Sequence, residues 1–159
     1  MTFRQHISRS LSWKWHLQDF VPASFAEEPD DYFVGLFVPR FILAHKFVAR
    51  FYSGGQFPLT TVSSVRLAFI SSIIGAGLKL GKSRKDGEVI ARSINIECKK
   101  PIIYGPDSKI QVRVKIDFLR ECTDYRLFRS KFEVGGDKEH RGSTFLLYCR
   151  PGLRNFSYL

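Results

Sequence analysis

The chain has 159 residues, enough for one domain with a substantial core and too few for two comfortable ones. Aromatic residues make up 14% of it, fifteen of them Phe, which excludes an intrinsically disordered chain. With 25 Lys and Arg against 15 Asp and Glu the net charge is +10, so an acidic partner is expected: nucleic acid, an anionic membrane surface, a phosphorylated cofactor or an acidic carrier protein.

Residues 1–16 hold no continuous apolar stretch of the kind a secretory signal needs, and no acid precedes Asp19. A loosely docked terminus is expected there. The acidic, turn-like stretch from Ala26 to Asp31, with Pro29 inside it, marks the end of an N-terminal extension, 1–30, before a single domain over 31–159. Residues 32–38 then read as a strand, and Pro39 as a break or an edge. In 40–52, Phe41, Leu43, His45, Phe47, Ala49 and Phe51 share one face, which is strand periodicity, although a run this apolar also suits a helix.

A turn at Ser53, Gly54 and Gly55 leads through Gln56, Phe57 and Pro58 into a helix over 60–80, capped by Thr60 or Thr61 and ended by Gly81. That helix is apolar or small on every face and carries no acid. A helix apolar all round must be buried, where Gly75 and Gly77 would let a sheet approach closely. With Arg66 inside it and Lys79 near its end, it is a poor membrane span. After a charged loop over 82–87 come four strands, 88–99, 109–120, 124–134 and 143–150. The second is the plainest: Ile110, Val112, Val114, Ile116 and Phe118 alternate with Gln111, Arg113, Lys115, Asp117 and Leu119. Turns at 104–107, 122–124 and 135–138 are short, so these strands are antiparallel neighbours.

The remaining signals are mostly exclusions. Cys98, Cys122 and Cys149 are odd in number and lie in or beside strand-like segments, which suits reduced structural thiols in a cytosolic protein. His45 reads as a satisfied core or interface histidine and His140, in a charged turn, as exposed; with His6 and His16 in the terminus, no pair has metal-ligand spacing. The longest basic run, Lys82 to Lys85, is short, and no DNA- or RNA-binding motif is visible. There is no nucleophile elbow, Walker loop or dinucleotide fingerprint, since Gly75 and Gly77 end a helix instead of opening one.

Gly55-Gln56-Phe57-Pro58 before the helix, and the run from Cys98 through Pro101, Tyr104, Gly105 and Pro106 to Asp107 before a long alternating strand, resemble the hotdog superfamily over residues 54–151. The first looks like the Gly-His-Phe-Pro turn of the hydroxyacyl carrier-protein dehydratases. The resemblance implies an α+β hotdog fold, an antiparallel sheet wrapped around a long central helix, and work on acyl thioesters of fatty-acid or polyketide metabolism. Two departures stand out. Gln56 occupies the catalytic His position, and the catalytic acid position falls near 64–66, where no acid stands. Dehydration needs both a base and an acid, so that reaction is excluded. The fatty acyl-CoA thioesterase type III family, to which the chain is also similar, dispenses with the common acid.

Thioester binding or cleavage remains open, because backbone amides at the helix start can polarise the carbonyl while Gln56 orients water or substrate. The expected catalytic set is Gln56 with Ser63, Ser64 and Arg66; Phe57, Thr60, Thr61, Lys82, Arg84 and Lys85 are expected to bind substrate. A buried Arg66 would need an anion or acid beside it. The serines have a plainer role as packing residues whose hydroxyls bond back into the helix. No cofactor or metal is expected. The partners are an acyl-coenzyme A or an acyl carrier protein and a second copy of the chain, in the cytoplasm, without DNA, RNA or stable membrane insertion. A non-catalytic acyl-binding protein and a basic nucleic-acid-binding module are the alternatives.

Overall fold

The computed structural model describes residues 19–40, 56–80, 88–105 and 107–149. The elements in order are β1 (Asp19–Glu28), β2 (Tyr32–Arg40), β3 (Phe57–Pro58), α1 (Thr61–Leu80), β4 (Glu88–Cys98), β5 (Ile103–Tyr104), β6 (Ile110–Glu121), β7 (Tyr125–Val134) and β8 (His140–Cys149). Six strands form one antiparallel sheet in the order β1-β2-β6-β7-β8-β4, and β3 pairs with β5 in a small second sheet. The strand expected over 40–52 and the loop over 82–87 lie outside the described residues.

The sheet starts earlier in the chain than the sequence suggests. β1 lies within the stretch assigned to an N-terminal extension, pairs with β2 from Asp19↔Arg40 to Glu28↔Tyr32, and sets Phe20 against the buried Tyr104 at 5.1 Å between rings. The acidic stretch read as a boundary is the hairpin turn between them. Asp30 and Asp31 there have φ of 64° and 62°, a left-handed conformation that Asp tolerates better than most residues. Pro39 sits where β2 has lost one neighbour: β6 pairs with β2 only from Tyr32 to Phe37, so a missing amide at residue 39 breaks no ladder on that side.

Alternation along β2, β6, β7 and β8 sends Phe33, Phe37, Val112, Val114, Ile116, Phe128, Phe132, Val134 and Leu146 to one face, where they form the core. α1 packs on that face. Leu67, Ala68, Ser71, Ser72, Gly75 and Ala76 are buried against the sheet. Gly75 is where the layers come closest: a Cβ there would sit 3.1 Å from Ile116 Cγ1 and 3.2 Å from Phe33 Cδ2. At the helix end, Lys79 Nζ donates to the Ile116 carbonyl at 2.8 Å and lies 3.1 Å from Asp31 Oδ2, tying the last turn to the β1–β2 hairpin.

The helix is not buried all round. One sheet covers one side of a helix, and Val62 and Leu78 on the other side are 52% and 54% exposed. Length and apolar composition would let α1 span a membrane, but its packing against the sheet makes it the core helix.

Candidate functional site

The start of α1 is assembled by its cap. Thr60 Oγ1 accepts the Ser63 amide at 3.2 Å and donates to Ser63 Oγ at 2.9 Å, and the Thr60 carbonyl accepts the Ser64 amide at 2.9 Å. The first amides of a helix have no partner within it, so those of Thr61 and Val62 are left facing out of the helix start, on two exposed residues. The Leu59 amide donates to the Ile102 carbonyl at 2.7 Å and β3 pairs with β5, which hold this end of the helix to the turn before β6. Ser108 closes that turn, accepting the Gly105 amide on its Oγ at 2.8 Å and donating its own amide to the Gly105 carbonyl at 3.2 Å.

From Ser64 the side chain runs inward and is fully buried, and it meets a residue that the sequence places at the surface. His140 opens β8, is 2% exposed, and its Nδ1 lies 2.8 Å from Ser64 Oγ. The β7–β8 hairpin turns at Gly135, with φ of 94°, and Lys138, with φ of 56°, and returns the chain so that His140 pairs with Val134 on one side and Cys98 of β4 on the other. The amides of Lys99 and Lys100 both donate to the Glu139 carbonyl, at 2.8 and 3.4 Å, fixing the end of β4 to the start of β8. Cys98, exposed, brings its Sγ to 3.7 Å from Thr61 Oγ1. Desolvation pulls the His140 pKa below the ordinary imidazole value, against a weaker upward pull from a hydrogen bond to the Lys100 backbone and from the Glu139 charge. A ring neutral near pH 7 is a proton acceptor, and a hydroxyl stands against it.

Of the residues expected at the site, Thr60, Thr61, Ser63 and Ser64 come together at this helix start. Ser63 is buried and tied into the cap. Gln56 is exposed and lies beside Gly105, its Cγ 3.9 Å from where a Cβ on that glycine would stand. Arg66 corrects the sequence reading: it is exposed, on the side of α1 that the sheet does not cover, and needs no buried counter-ion. Phe57 joins through its backbone to Tyr104, and its side chain lies outside the description, as do Lys82, Arg84 and Lys85.

His140 is the residue that sequence reasoning missed. The signal was the strand period: extending β8 three residues toward its start puts His140 on the same face as Thr144, Leu146 and Tyr148. Ser72, by contrast, has the plain structural role expected of it. Its Oγ donates to the Ala68 carbonyl at 2.7 Å and shares a hydrogen bond with Ser130 Oγ at 2.7 Å, joining helix to sheet. A cleft of about 390 Å³ lies on the opposite face of the sheet, lined by Tyr32, Arg113, Lys115, Lys131, Glu133 and Arg141 among others, and takes in none of these site residues. Arg113, Glu133, Arg141 and Glu97 follow one another across its strands with alternating charge, so the row is largely self-compensating. Among the described residues no three His, Cys, Asp or Glu side chains gather as metal ligands.

No protein-family model matches the chain, and no curated protein matches its sequence. Solved structures do match its fold. A candidate thioesterase from Lactococcus lactis superimposes with a TM-score of 0.51 at 11% identity, covering 81% of this chain and 93% of its own. A variant of a Pseudomonas aeruginosa thioesterase gives 0.50 at 8% identity over 94% and 95%. A candidate thioesterase from Shewanella oneidensis gives 0.50 at 11% over 92% and 99%. At such identities the likeness is one of architecture: the chain has the hotdog fold.

Proposed function

We propose that this protein binds acyl thioesters, of coenzyme A or of an acyl carrier protein, and hydrolyses them, as a cytoplasmic homodimer with the acyl chain along α1. The observation that carries the reading is the helix start. The amides of Thr61 and Val62, two exposed residues, stand at the positive end of a twenty-residue helix, where negative charge developing on a thioester oxygen is stabilised. Gln56, on the turn leading to this helix, orients the carbonyl or the water, with Ser63 and Ser64 as hydroxyl partners. Lys82, Arg84 and Lys85 meet the phosphates of coenzyme A or an acidic carrier. The thioesterases among similar structures support the same class of ligand.

The test is turnover of an acyl-coenzyme A series by the wild-type chain and by Gln56→Ala. Losing one oriented donor of this kind costs about 3 kcal/mol in the transition state, roughly a hundredfold in rate. A folded Gln56→Ala variant with an unchanged rate removes Gln56 from the mechanism. A second reading, a hotdog that holds or senses an acyl ligand without cleaving it, is favoured by the absence of any acid along α1. Binding of acyl thioesters with no turnover by the wild type would decide for it.

A further inference from the structure

We propose that Ser64 and His140 are the reacting pair of this site, Ser64 Oγ the nucleophile and His140 its base, so that the acyl group passes through an ester on Ser64. This rests on the acyl-thioester reading above and gives it a chemical route. With no carboxylate anywhere on α1, no helix acid is available to activate water directly. What stands at the helix start is a hydroxyl 2.8 Å from an imidazole nitrogen, the spacing a nucleophile and its base require.

The route requires one tautomer, with Nδ1 free to accept the Ser64 proton and the ring's own proton on Nε2. The upward pull of the Lys100 backbone on the ring's pKa is the pull of a nearby carbonyl, which suits a ring that donates toward it. We assign that donated proton to Nε2, which leaves Nδ1 as the acceptor and makes Ser64 Oγ–H the donor. Both partners are held on rigid elements. Ser64 is in the first turn of the core helix, and His140 lies between its register partners Val134 and Cys98. Ser72 with Ser130 shows that a hydroxyl pair suffices to join helix to sheet, so a structural link at Ser64 would not need a titratable ring.

Ser64 and His140 are closed to water, while Thr61, one turn before Ser64, and Cys98, the register partner of His140, are exposed and touch at 3.7 Å. The proposed route requires this end of the helix to open so that a thioester reaches the pair. In the first half-reaction Ser64 Oγ bonds to the thioester carbonyl carbon as its proton moves to His140 Nδ1. The carbon–sulfur bond then breaks and the imidazolium protonates the leaving thiolate. In the second, water attacks the acyl carbon and gives a proton to Nδ1, the bond to Ser64 Oγ breaks, and that oxygen recovers the proton. Thioester and water become carboxylic acid and thiol, and the pair is restored.

The experiment mixes wild-type, Ser64→Ala, Ser64→Cys and His140→Asn chains with butyryl-, decanoyl- and palmitoyl-coenzyme A. It follows free thiol and quenches samples in acid for intact-mass and peptide analysis. The wild type is expected to turn over and Ser64→Ala to lose turnover. Ser64→Cys is expected to accumulate one acyl group, mapped to residue 64. His140→Asn keeps a polar group within reach but no base, and is expected to slow acylation about a hundredfold or more and to lose the acidic limb of the pH–rate profile. A folded Ser64→Ala hydrolysing at the wild-type rate, or Ser64→Cys carrying no acyl group while the wild type turns over, overturns the covalent route and leaves the thioesterase reading standing. A wild type that neither hydrolyses nor becomes acylated overturns both.

Discussion

Burial decides what His140 does to the stability of the protein as well as to its chemistry. Its pKa in the folded chain lies below the ordinary 6.5, with desolvation the largest cause, so the folded state holds fewer protons than the unfolded state once the pH falls below that value. The contribution is therefore full above pH 6.5 and is lost as the pH drops toward the lowered folded pKa. Denaturant unfolding of wild type and His140→Asn between pH 7 and pH 5 should show the wild type losing stability faster on acidification, so that the gap between them moves in favour of the variant. A gap constant across that window would mean that the imidazole is not held neutral. His140 was illegible in the sequence because Asp137, Lys138, Glu139 and Arg141 around it spell a solvated turn, while the partner that draws it inward, Ser64, is 76 residues away. Thr60, whose capping bond is local, was legible.

Between elements, the helix–sheet contact is closest at Gly75, and there the packing leaves no room for a branched side chain. Gly75→Val would gain helix propensity but drive two methyl groups toward Ile116 and Phe33, already 3.1 and 3.2 Å from the position of a Cβ. Overpacking of this sort costs about 1–3 kcal/mol, more than the propensity returns, so the denaturant midpoint should fall. A midpoint unchanged or raised would show that the layers can separate at no cost. β6 was legible because Val112, Val114 and Ile116 alternate with polar residues without interruption, and β7 because Phe128, Phe132 and Val134 keep the same two-residue period. β1 was not: Pro22 and a register shift between Pro22 and Ser24 break its two-residue period. α1 was legible as a helix, but its composition could not say how many sides a single sheet would cover, and Arg66 was placed inside for that reason.

Assembly follows from what the sheet leaves at its borders. Among the described residues β1 and β4 are its two edges; β1 carries Pro22, which has no amide to offer, whereas β4 has no proline and exposes Ile94 at 38%. The outer side of an eleven-residue edge strand is a template for another strand, and the apolar Val62 and Leu78 on the uncovered side of α1 add surface that association would remove from water. Pairing of two chains along β4 would bring the Cys98 end of that strand, and with it the Thr61–Cys98 mouth beside Ser64 and His140, to the seam between subunits. Light scattering at micromolar concentration is expected to give the mass of a dimer, and Ile94→Lys, a charge placed on that edge, to shift it toward the monomer with a parallel loss of thioester turnover. A wild type that is strictly monomeric refutes the dimer. A fully dimeric Ile94→Lys chain that retains its turnover moves the seam away from β4 and the site away from the seam.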